Sequence, residues 1–502
     1  MTQMILKGLR LGAALGLALT LFGCPNRELG PVEPVVQSGT SIVITQAESD
    51  AVDLLVLVDN SNSMAQEQAN LATNFPILID RLTDPPDSDG DGQSDYPPVS
   101  DLHIGVVDTD MGTGGYAVTT CENAVDGDDG ILQNTPSDLV ANCDDSYPSY
   151  LSWGEDDDAA ALSQAFSCIA VLGTGGCGFE QQLKAVRKAL TDHAAGANAG
   201  FLRDDSLLAI LMVTDEEDCS VREDVRNATD IFNTQLQLGP LNLRCFAHRD
   251  QYVAPVDYYV DAILALRPDN PERLVVAGIV GIPPDSSCNL TNMTDSDFQC
   301  LLDHPKMQEV VDNSAEGQGE RLTPSCDVPG LGEAFPPRRI VEFIKQINHE
   351  GNNGIVQSIC EADFGPAMRA ITSLIQSKVL GACLARPLDP NASNQVRCIV
   401  QETLTTSDDC PPGRIDLGVT GEQRRCQICQ KGDGEGDRTR DELGQDLTEC
   451  SRFNASGDYW EYVPGDQSAD CPSTGKVNFQ GSAVPLAGSV VHLECLSKVG
   501  DE

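Results

Sequence analysis

Three seven-residue runs constrain this chain more than any other feature. Val52-Asp53-Leu54-Leu55-Val56-Leu57-Val58, Leu207-Leu208-Ala209-Ile210-Leu211-Met212-Val213 and Leu274 to Val280 are almost wholly apolar. A strand with one wet face alternates apolar and polar residues. Near-continuous apolar runs instead mark strands covered on both faces, as in a parallel sheet. Leu102 to Val107 supplies a further strand. Between these runs the spacing becomes helical. Leu71, Phe75, Leu78 and Leu82 recur at intervals of four and three despite Pro76, and Leu183, Val186 and Leu190 mark a second helix. Further stripes are Val256, Tyr259, Val260 and Ile263; Ile340, Phe343, Ile344 and Ile347; and Phe364, Met368, Ile371 and Ile375. Core packing accounts for all of them. The alternation predicts an α/β fold with a doubly wound, mostly parallel sheet.

Compartment is read from the N-terminus and the cysteines. Lys7 and Arg10 precede an apolar stretch, Leu11 to Phe22, that is too short to span a bilayer. It ends in Leu21-Phe22-Gly23-Cys24, which resembles the lipobox of bacterial lipoproteins. The resemblance implies cleavage after residue 23 and lipidation of Cys24; the alternatives are an ordinary signal peptide or a short buried helix. Pro25 is not the Asp that resembles an inner-membrane retention signal, so the expected location is the bacterial envelope, at the outer membrane or cell surface. Residues 24–50, with Pro, Gly, Ser and Glu but no periodicity, read as a tether. Setting Cys24 aside from the 19 Cys leaves an even 18, which in an exported chain points to disulfides of undetermined connectivity. A formal charge of −45 argues against nucleic acid and suits divalent cations, a basic partner or plain solubility.

The α/β domain is expected to occupy residues 51–380. Within it, roughly 109–170 is rich in Gly and Asp and holds Cys121, Cys143 and Cys168, which reads as a disulfide-tied insertion. Cys383, Cys398, Cys410, Cys426, Cys429, Cys450, Cys471 and Cys495 crowd residues 381–502, an even set expected to staple a separate, β-rich module. Cys426-Gln427-Ile428-Cys429 could be a redox pair, but no strand-to-helix signal accompanies it, which favours two structural bridges.

The first apolar run ends in Asp59-Asn60-Ser61-Asn62-Ser63. A carboxylate with hydroxyls two and four residues on offers three hard oxygen ligands, the chemistry of Mg²⁺, Ca²⁺ or Mn²⁺. The second run leads into Thr214-Asp215-Glu216-Glu217-Asp218, putting Asp215 at another strand's C-terminal end, where open α/β sheets gather binding groups. Ser61 or Ser63 could instead cap the following helix.

Asp59-x-Ser61-x-Ser63 after a buried strand, with Asp215 after another, resembles the metal-ion-dependent adhesion site of von Willebrand factor A (VWA) domains. Thr214-Asp215-Glu216-Glu217-Asp218-Cys219-Ser220 and Gly178-Phe179-Glu180-Gln181, with the lipobox, are similar to those of bacterial VWA lipoproteins over roughly residues 50–380. The resemblance implies a divalent cation at Asp59, Ser61, Ser63 and Asp215, one ligand short, completed by an acidic side chain of a protein partner. The family's third loop supplies a Thr; counting back from Leu183 puts Cys177 there, a poor hard-cation ligand. Glu180 either substitutes or favours the nearby helix N-terminus.

Asp87-x-Asp89-x-Asp91-Gly92-x-x-Asp95 offers a second cation loop. It lacks the bidentate Glu of an EF-hand and resembles the shorter calcium loops of thrombospondin type 3 repeats; otherwise it is an acidic solvated loop. The six His show no zinc spacing, and no G-x-S-x-G elbow or P-loop occurs. Aromatic residues are only 5%, which disfavours a stacking surface for sugars or bases. The expected function is therefore non-enzymatic: a lipid-anchored protein binding an extracytoplasmic protein through a divalent cation. The alternative is an envelope assembly component that uses the fold without metal.

Overall fold

The computed structural model describes residues 37–45, 51–85, 98–313, 319–379 and 384–498, short gaps within these ranges excepted. Cys24 and the Asp87, Asp89, Asp91 and Asp95 loop lie outside the described residues.

The apolar runs form the middle of a six-stranded sheet. Its strands are β2 (Val52–Val58), β3 (Asp101–Val107), β4 (Leu151–Gly154), β5 (Leu207–Thr214), β6 (Leu274–Val280) and β7 (Gly354–Ser358), in the order β7-β6-β5-β2-β3-β4. All neighbours pair in parallel except the edge pair β3–β4. Every residue of β2, β5 and β6 is buried, which is why these runs show no alternation. Asp53, the charged exception in β2, accepts hydrogen bonds from the Arg203 backbone N (2.6 Å), Arg203 Nε (2.8 Å) and Ser206 Oγ (2.5 Å). A buried carboxylate persists only with such partners.

Two groups of helices flank the sheet. α1 (Ala65–Thr83) packs on α2 (Ala159–Ala170) and α7 (Gly365–Val379). α6 (Arg338–Gly351) packs on α4 (Val256–Leu264) and α5 (Asp295–Asp303), and α3 (Gln182–Leu190) on α4. Each predicted stripe faces this core, including Leu71, Phe75, Leu78 and Leu82 of α1. The mixed α/β class and the mostly parallel sheet are as the sequence predicts.

The segment 109–170 departs from a patternless insertion, because it contributes the edge strand β4 and helix α2. Leu162, Phe166 and Ile169 of α2 are buried, and Phe166 meets Phe75 with ring centroids 4.6 Å apart. Its Ala and Ser content hides this stripe in the sequence, although Asp158 is a plain N-cap, accepting from the backbone N of Ala160 and Ala161.

Beyond residue 384 the chain is rich in strands. β8 (Cys398–Thr405), β9 (Arg414–Thr420), β10 (Gln423–Ile428) and β13 (Val490–Lys498) belong to a five-stranded antiparallel sheet, and β11 (Tyr459–Val463) pairs with β12 (Lys476–Gln480). The fifth strand is β1 (Gln37–Thr45), paired along its length with β13. Residues 37–45 are thus a strand of the C-terminal sheet and not tether. Eight disulfides join described cysteines: 121–177, 143–168, 219–245, 288–300, 326–360, 398–495, 410–426 and 429–450. Cys426 and Cys429 therefore enter two different bridges.

Candidate metal centre

β2 and β5 are adjacent and parallel, so the loops leaving their C-terminal ends meet. The Asp59 backbone N donates to the Val213 carbonyl (2.9 Å), fixing the first loop against the end of β5. Ser61, Ser63 and Asp215 come together there. The Ser61 and Ser63 hydroxyls are 3.0 Å apart, and Ser63 Oγ donates to Asp215 Oδ1 at 3.2 Å. Ser61 stands at the start of a single helical turn, Asn62–Met64, but its side chain makes no capping bond, so both hydroxyls turn toward the acidic groups.

Asp59 is buried and held on both oxygens. Oδ1 accepts from the Ser61 backbone N (2.8 Å) and Thr109 Oγ (3.3 Å); Oδ2 accepts from Thr214 Oγ (2.5 Å). Gln68, one turn into α1, braces the loop from behind. Its Nε2 donates to the carbonyls of Asp59 (2.8 Å) and Gly173 (2.6 Å), while its Oε1 accepts from the Gly173 N (2.9 Å). Thr109, Thr214 and Gln68 were not among the sequence candidates. Thr109 and Thr214 lie just past or at the ends of predicted strands, which is the signal that could have found them.

Glu180 is buried beside the same cluster. The hydrogen-bonding caps at the start of α3 are Asp218 Oδ1, which accepts from the Leu183 N (3.0 Å), and Ser220 Oγ, which accepts from the Lys184 N (2.9 Å). Cys177 is disulfide-bonded to Cys121, so it offers no thiolate for ligation.

The electrostatics are one-sided. Burial first, and then the charges of Asp59 and Glu216, push the Glu180 and Asp215 carboxyls well above the usual carboxylate range. Burial and Asp59 push Glu216 up to about 8, and burial raises Asp59 itself. Glu67, on the first turn of α1, is buried with Oε2 unpartnered and is raised by burial and by Asp59. Among the described residues no Lys, Arg or His pairs with Asp59, Glu67, Glu180, Asp215 or Glu216. Like-charged groups crowded out of water either stay protonated or need a cation.

The 3.0 and 3.2 Å oxygen separations are hydrogen-bond distances; an octahedral edge around a Mg²⁺-like centre, about 3.0 Å, is of the same length. No cluster of three or more His, Cys, Asp or Glu among the described residues is arranged to hold a metal ion. A cation here would therefore depend on the two serine hydroxyls.

No family model matches the chain, and no curated protein matches it. Among solved structures it is similar to proximal thread matrix protein 1 of the mussel byssus, at 10% identity over 52% of this chain and 42% of that one, TM-score 0.22. It is also similar to the human COPII-coat protein Sec24c, at 8% identity over 92% and 46%, TM-score 0.29. A third is the pilus adhesin RrgA of Streptococcus pneumoniae, at 11% identity over 93% and 59%, TM-score 0.20. The chain thus spans 42 to 59% of the length of these proteins.

Proposed function

We propose that the chain is an exported, envelope-anchored binding protein whose VWA-type domain holds a divalent cation and uses it to bind an acidic group of a protein partner. The supporting observation is the convergence of the Ser61 and Ser63 hydroxyls with Asp59 and Asp215 at the ends of two adjacent central strands, with no basic side chain among the described residues to balance them. In this reading Ser61 and Ser63 ligate directly, Asp59 and Asp215 act directly or through water, and Glu180 lies close enough to modulate the charge. When bound, the cation would supply a Lewis-acid position for an incoming carboxylate, and the chain's own part is to hold Ser61, Ser63, Asp59 and Asp215 around it. Cys24 is the proposed lipid anchor, and calcium in the loop of Asp87, Asp89, Asp91 and Asp95 is proposed as a structural brace.

Binding of Mg²⁺ or Mn²⁺ to the native state raises its stability by about 2.7 kcal/mol at a hundred times Kd. Thermal unfolding is expected to shift upward on adding the metal, to return on chelation, and to lose this response in Asp59→Ala. Co-purifying partners that survive both chelation and Asp59→Ala would favour the metal-free assembly role instead.

A further inference from the structure

Glu67 is the third residue of α1 and lies four residues beyond Ser63, about one helical turn away. Side chains of a helix lean toward its N-terminus, so this carboxyl is carried back over the loop of Asp59, Ser61 and Ser63. The side chain has left water, with only 3% of the residue exposed. No donor among the described residues reaches its Oε2.

A second segment encloses this carboxyl. The antiparallel strands Cys326–Val328 and Gly332–Ala334 lie beside the turn Asn62–Met64. They are fixed there, because the Phe335 N donates to the Asp215 carbonyl (2.8 Å) and Cys326 is bonded to Cys360. Gly332, at φ 116°, rests directly on Glu67 Oε1, where a Cβ would overlap that oxygen. One segment therefore meets both Asp215 and Glu67. Burial first, and Asp59 with it, raise the Glu67 carboxyl, which the backbone N–H groups of Gln66 and Glu67 lower only in part. Glu67 in turn adds to the burial, Asp59 and Glu216 that raise Asp215. A buried carboxyl with one oxygen unpaired is costly unless a ligand completes it.

We propose that Glu67 is an outer-sphere residue of the cation centre, its Oε2 accepting a hydrogen bond from a water bound to the ion. It is a positioning residue and not a ligand. No three acidic side chains among the described residues are arranged to hold a metal, so Glu67 does not join Asp59 and Asp215 on the ion itself. The donor is a water and not a group of the partner, because Oε2 is closed off from the surface. Such outer partners orient what the metal binds and supply charge that its ligands lack. Here that charge offsets the missing third-loop ligand, since Cys177 offers no thiolate. An ion that keeps its waters gains most, so the centre would prefer Mg²⁺ or Mn²⁺ to Ca²⁺. The inference rests on the cation reading, since without an ion there is no bound water to hold.

The test uses the full chain with Mn²⁺ alone as the probe, its free concentration followed by electron paramagnetic resonance. Glu67→Gln keeps the shape of the side chain without its charge, and Glu67→Met keeps its length without either oxygen. Both variants are expected to be at least as stable as wild type in chelator, because a buried acid has been removed. Both are expected to bind Mn²⁺ about tenfold more weakly. A packing role would move stability in chelator and leave the Mn²⁺ affinity alone. Unchanged Mn²⁺ affinity in both variants, or a loss of stability in chelator in both, would overturn the proposal; Mn²⁺ binding that still depends on Asp59 would then keep the cation reading intact. A wild-type chain that takes up no Mn²⁺, or takes it up equally after Asp59→Ala, would overturn the cation reading and this inference with it.

Discussion

Asp59 gathers most of the candidate site around itself. It takes hydrogen bonds from its own loop, from Thr109 past β3 and from Thr214 at the end of β5, and lends its charge to Glu67, Glu180, Asp215 and Glu216. The consequence is a pH dependence of definite sign. Glu216, lifted to about 8 by burial and Asp59, and Glu217, lifted to about 8 by burial and Glu309, hold protons in the native state that the unfolded chain releases at ordinary glutamate values. Native protons in excess mean that stability falls as pH rises through this window. In chelator, denaturant midpoints are therefore expected to decline between about pH 5 and pH 8, and Mg²⁺ is expected to flatten the decline. A flat profile in chelator would contradict the crowded-acid account. Asp59, Ser61, Ser63 and Asp215 were legible in the sequence because each sits at or just past the end of an apolar run. Thr109, Thr214 and Gln68 were not, since their roles depend on which segments the sheet order brings together.

At the level of elements, burial on both faces made β2, β5 and β6 unmistakable, and strong stripes did the same for α1, α4, α6 and α7. α2 escaped because alanine and serine dilute its apolar face to Leu162, Phe166 and Ile169. Its contribution is measurable. Phe166→Ala removes the ring packed on Phe75 and opens a cavity between α1 and α2, at a cost of about 3–5 kcal/mol in chemical denaturation. A loss well under 1 kcal/mol would mean that α2 is only loosely docked. The antiparallel edge strand β4 was equally hidden: four residues with Trp153 inward and Ser152 outward are too short to show a period.

Across the whole molecule, the chain closes on itself in a way its sequence does not announce. β1, upstream of the α/β domain, completes the sheet downstream of it by pairing with β13. Pairing between segments so far apart leaves no local pattern to read. β1 is the edge strand of that sheet, so deleting residues 37–45 would bare the backbone of β13, and exposed edges recruit other chains. The deletion variant is expected to self-associate by size-exclusion chromatography; a clean monomer would show that β1 is dispensable. The central claim, a cation at the joint ends of β2 and β5, is tested most directly by anomalous diffraction from crystals grown in Mn²⁺. The account predicts a peak about 2.1 Å from both Ser61 Oγ and Ser63 Oγ and beside Asp215. An empty map at that position under saturating Mn²⁺ would contradict it.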